Sequence, residues 1–123
     1  MPIATLPPLP YRALTDGNPE ELGYRVTEAL GAGYITYGEL DHLTKLTDSY
    51  STVFFQLVID PKRVRFTETF EYKKIRIVTG GTDRAFCEKV SDLLENEGWI
   101  LYGQPKLYLE GTSFQMLQRL VQN

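Results

Sequence analysis

The sequence is poor in the residues that most often carry out chemistry. Its 123 residues include one cysteine, one histidine and one tryptophan. A lone Cys87 excludes an intramolecular disulfide and points to a reducing compartment. A lone His42 excludes a histidine-based triad and a multi-histidine metal site. No apolar run approaches the ~20 residues of a membrane-spanning helix. The N-terminus also lacks the charged-then-apolar layout of a secretory signal. A soluble cytoplasmic protein without metal or cofactor is expected.

Charge of one sign is scarce overall, with a net of −3. That excludes a global field that would draw in nucleic acid or an anionic membrane. The distribution is uneven, however. Residues 1–60 carry three basic and eight acidic side chains, a net of −5. Residues 61–76 carry Lys62, Arg63, Arg65, Lys73, Lys74 and Arg76 against Glu68 and Glu71, a net of +4. This basic strip reads first as a solvated strand face and second as a weak nucleic-acid contact.

What the sequence does have is repetition. GYITYG at 33–38 returns as GWILYG at 98–103. Upstream, YRALTDGNPEELGYRVTEAL (11–30) aligns with IRIVTGGTDRAFCEKVSDLL (75–94), matching Arg12 to Arg76, Thr15 to Thr79, Gly17 to Gly81, Val26 to Val90 and Leu30 to Leu94. Downstream, Gln56 and Gln118 match more weakly. Each copy reads as β-α-β-β. A short strand is followed by a glycine-containing turn. A helix then opens at Asn18 with Pro19, Glu20 and Glu21, or at Thr82 with Asp83. Leu22, Val26, Ala29 and Leu30 share one helix face; Phe86, Cys87, Val90, Leu93 and Leu94 share the other's. Helices this short must bury those stripes on a sheet. Gly33 and Gly98 stop them. Gly38 and Gly103 end the regular part of the next strand, at a bulge.

The expected fold is α+β: two β-α-β-β repeats, 11–60 and 75–123, related by a pseudo-twofold axis. They share one antiparallel-rich sheet with both helices on one face. Residues 1–10 read as an extended Pro-rich arm. Residues 61–74 read as a connecting strand, with Val64, Phe66, Phe70 and Tyr72 alternating against polar neighbours.

The second copy resembles the bacterial and phage domain-of-unknown-function family 1737. The likeness rests on Arg76, Thr79, Gly80, Phe86, Cys87, Val90, Leu94, Gly98, Trp99, Leu101, Tyr102, Gly103 and Pro105. The first copy fits less fully, with Gly23, Tyr34 and Leu40 where the pattern has Cys, Trp and Pro. The resemblance implies occurrence in bacteria or their viruses. It carries no activity or catalytic residue to transfer.

No catalytic constellation emerges. His42 reads as a surface residue and Cys87 as a small buried hydrophobe. Gly80–Gly81 reads as a turn needing positive φ, not a phosphate loop. The opening MPIA is similar to tautomerase-superfamily N-termini, where Pro2 would be the base, but Pro7, Pro8 and Pro10 spoil the strand such a proline requires. The expected role is therefore non-enzymatic: a small adaptor or inhibitor acting on a protein partner, or self-associating as a homo-oligomer. Tyr34, Tyr37, Trp99 and Tyr102 are the candidate surface. The alternative is a module for a small anionic ligand, such as a nucleotide signal, held between the repeats near Arg12 and Arg76. Those arginines read first as braces for Asp16 and Asp83 and only second as ligand holders.

Overall fold

The computed structural model describes residues 8–46 and 50–123. Pro2 and most of the expected arm lie outside these residues. The first half runs β1 (Tyr11–Asp16), α1 (Pro19–Gly31), β2 (Ile35–Leu46) and β3 (Tyr50–Ile59). The connector holds a two-residue strand, β4 (Phe66–Thr67). The second half runs β5 (Lys74–Gly81), α2 (Arg84–Asn96), β6 (Ile100–Glu110) and β7 (Ser113–Gln122). Pairing is antiparallel except between β4 and β6. The fold is α+β.

Local chemistry sets the helix ends. Asn18 Oδ1 accepts the Glu20 and Glu21 N–H groups at 2.8 and 3.3 Å. The second cap is Asp83 rather than Thr82; its carboxylate accepts the Phe86 N–H at 3.2 Å. An anion at the positive end of the helix dipole is the better cap.

The two halves share order and register. Their strands lie β1-β3-β2 and β5-β7-β6, with β4 outside β6. Leu14 faces Gln56 where Val78 faces Gln118, and Tyr37 faces Leu57 where Tyr102 faces Arg119. Both long strands continue through their bulges, which fall between Tyr37 and Asp41 and between Tyr102 and Lys106.

Three expectations are corrected. The strands form two sheets, of three and four strands, rather than one. β2 and β6 meet at the bulges, where a Cβ on Gly38 would lie 3.0 Å from Gln104 and 3.2 Å from Pro105. Proline has no N–H for a ladder, so the strands pack there instead of pairing.

The helices also do not share a face. Leu14, Tyr34 and Val58 pack under Leu22 and Ala29 of α1. The opposite face of that sheet, with Tyr11, Phe55, Leu57 and Ile59, packs in the main core with Phe86 and Val90 of α2 and with Met116 and Leu120. The first sheet is thus a middle layer. A pseudo-twofold would bury matched residues alike, yet Tyr11 is 0% exposed and Ile75 49%. Leu30, expected inside, is 48% exposed.

Finally, the connector is not a long strand. Only Val64 of its alternating apolar set is buried, and Phe66 and Phe70 are about half exposed. Arg63 anchors it, pairing with Glu95 at 2.8 Å and donating to the Pro8 carbonyl.

Candidate functional site

The repeated hexamers place a built feature in each half. Gly38 and Gly103 adopt φ of +77° and +73°, a region open to glycine at little cost. Each carbonyl is met by a buried glutamine of the neighbouring strand. Gln56 Nε2 donates to the Gly38 carbonyl at 3.1 Å, and Gln118 Nε2 to that of Gly103 at 3.3 Å. Gln118 does more: its Oε1 accepts the Tyr11 hydroxyl at 3.0 Å, tying β1 to β7 across the core. Full burial raises the Tyr11 pKa well above the ordinary tyrosine value.

The four aromatics of the repeated strands do not form one surface. Tyr34 is buried in the small core under α1, its hydroxyl donating to the Leu9 carbonyl at 2.7 Å. Trp99 is half-buried against the main core. Arg12 lies over Tyr34 at 5.2 Å and Arg76 over Trp99 at 5.9 Å. These arginines therefore stack on aromatics. The carboxylates they were expected to brace receive backbone N–H groups instead: Asp16 from Asn18 and Asp83 from Phe86.

Tyr37 and Tyr102 lie on the opposite faces of their sheets, beside the connector. Phe66 meets Tyr37 edge-on at 5.9 Å, and Phe70 meets Tyr102 at 5.5 Å. Arg119 stacks on Tyr102 at 4.9 Å. Burial pushes the Tyr37 pKa up to about 12, eased by Arg119 and raised further by Glu68. A cleft of about 270 Å³ opens here, lined by Tyr37, Gly38, Phe66, Glu68 and Gly103 among others.

What the connector leaves bare is β5. This edge strand exposes Ile75 at 49% and Ile77 at 58%. Their counterparts on β1 are covered: Tyr11 meets the Phe86 ring at 6.3 Å, and Ala13 donates its N–H to Cys87 Sγ at 3.4 Å. Cys87 is buried and its thiol pKa is raised by that burial. Lys73, Lys74 and Arg76 flank the bare isoleucines and are exposed, as are Lys62, Arg63 and Arg65. The sequence contained the signal for this surface. Ile75 and Ile77 alternate with basic residues in a strand whose equivalent carries Tyr and Ala.

A second polar locus lies between the halves at the start of α2. Arg12, Arg25 and Arg84 line a cavity of about 150 Å³ together with Asp83 and Cys87. Arg25 donates to the Thr15 carbonyl at 2.5 Å, and Arg84 pairs with Glu88. Arg76 is not among the residues lining this cavity. Gly80 serves packing here, not a turn: its φ is not positive, and a Cβ on it would lie 2.5 Å from the Phe86 ring. His42 is exposed on β2, its ring 5.9 Å from that of Phe54. Among the described residues no group of three or more His, Cys, Asp or Glu could hold a metal, and no helix is long and apolar enough to cross a membrane.

The sequence profile of a domain of unknown function, DUF1737, matches residues 72–123, the β5-α2-β6-β7 half. No curated protein and no solved structure matches the chain.

Proposed function

We propose that the protein is a non-enzymatic binding module whose bare β5 face docks on a protein partner, as an adaptor or inhibitor does. The observation that carries this reading is the contrast between two equivalent strand faces. One is buried by the rest of the chain; the other leaves two isoleucines about half exposed. Exposed apolar side chains beside a free sheet edge favour association. The flanking lysines and arginine guard that edge against indiscriminate pairing and suit an acidic partner. The first half is read as a second, diverged copy of the family domain, supported by the common strand order, register, bulge and glutamine. A bacterial or phage source and a cytoplasmic setting fit the family resemblance and the lone cysteine.

The test is affinity capture from the source cell with wild type and Ile77→Glu in parallel. A partner held by wild type and lost by the variant supports the reading. A partner held equally by both overturns it.

A second reading is favoured by the Arg12, Arg25 and Arg84 cavity. Three guanidinium groups around one opening suit a small anion such as a nucleotide signal. Calorimetric titration with a nucleotide panel tests it. Binding weakened by Arg12→Ala or Arg25→Ala supports it, and no heat with any member of the panel removes it.

A further inference from the structure

The chain already makes, once and internally, an interface whose two sides are each left open elsewhere on the molecule. On one side, Tyr11 and Ala13, on the face of β1 turned away from α1, press on the second half. Their counterparts Ile75 and Ile77 are the bare pair on β5. On the other side, Val90, Leu94, Leu101 and Met116 belong to the core that receives that face, and Leu94, at 6%, is the most exposed of the four. Their counterparts in the first half are Val26, Leu30, Thr36 and Phe54. Val26 and Phe54 are only half-buried, Leu30 is 48% exposed and Thr36 is exposed. The outer side of α1 is thus the open equivalent of a surface known, from this same chain, to accept a β-strand face.

Charge supports the match. Arg119 lies directly across from Ile77 on β7 and shares its face, and Lys73 and Lys74 are exposed at the start of the strand, while Glu20, Glu21 and Glu28 are exposed on α1. Pairing β5 with β5 of another molecule would instead gather two basic strips.

We propose that the β5 face docks on the α1 side of a second copy, head to tail. This rests on the reading of β5 as a docking surface and names its occupant. A contact between two different patches does not close on itself after two copies, so it adds further copies with concentration.

Sedimentation velocity on the full chain at low salt tests this. Wild type is expected to gain mass with concentration beyond a dimer, and to lose that gain at high salt. Ile77→Glu and Leu30→Glu, both at exposed positions, each weaken association at least ~10-fold, the scale of a lost central contact. Mixed in equal amounts, they form a one-to-one complex, because each retains the patch the other lacks. A wild-type monomer at every concentration overturns the proposal. So does a Leu30→Glu variant that associates like wild type while Ile77→Glu does not, which is the pattern of β5 meeting β5. In either case a cellular partner still lost by Ile77→Glu would leave the docking reading standing; a partner held equally would remove that reading too.

Discussion

The two halves fold alike and are used differently. Each is a β-α-β-β unit with a positive-φ glycine at its bulge and a glutamine bonded to the bulge carbonyl. Yet the first sheet is covered on both faces, and the second leaves its outer strand bare. The difference lies in a few side chains. Tyr11 and Ala13 fit against α2, and Cys87 leaves room for an N–H···S contact that Gly23 does not offer in α1. Identical topology therefore does not fix which face becomes core; side-chain volume at the seam does.

Four predictions test that contrast, from the largest effect to the smallest. Phe86→Ala opens the seam between Gly80 and the Tyr11 ring and should cost ~3–5 kcal/mol in urea unfolding. Ile77→Ala, on the bare face, should cost less than ~0.5 kcal/mol in monomer. Equal costs would erase the distinction between the faces.

Gln118→Ala strands the bulge carbonyl and the buried Tyr11 hydroxyl, so a loss of ~2–4 kcal/mol is expected. Gln56→Ala strands one bulge carbonyl and should lose about half as much. Reversal of that order would contradict the seam bond.

The tyrosines set a pH window. Tyr11 and Tyr37 have folded pKa values above the ordinary 10, Tyr37 at about 12. A raised folded pKa means the native state holds its protons longer. Stability from these groups is thus complete below about pH 10 and falls as pH rises toward 12. Denaturant midpoints across pH 8–12 should show a plateau and then a decline; Tyr37→Phe should flatten part of it. The last change, Arg63→Ala, removes a part-exposed ion pair with Glu95. It should cost no more than ~1 kcal/mol, and less in high salt.

Much of this was legible in the sequence. Helical periodicity and capping residues located both helices, because those signals are local. Gln56 and Gln118, only weakly matched in the sequence, each donate to the bulge carbonyl of the neighbouring strand. What the sequence did not yield was the layering. Whether Tyr11 or Ile75 faces a core depends on contacts with residues more than 70 positions away. Val64, Phe66, Phe70 and Tyr72 alternate like a strand, but only Phe66–Thr67 pairs, alongside β6. The bare β5 pair is hidden for the same reason: a half-exposed isoleucine in an alternating strand has the local pattern of a core one until its neighbours are placed.

Amide hydrogen exchange on β1 and β5, at a concentration where the protein is monomeric, tests the central contrast most directly. The Ala13 amide, held by Cys87 Sγ, should exchange only with global unfolding. The β5 amides that point away from β7 should exchange orders of magnitude faster. Equal protection of the two strands would mean that the β5 edge is held within the chain as the β1 edge is, and the contrast between the halves would fall.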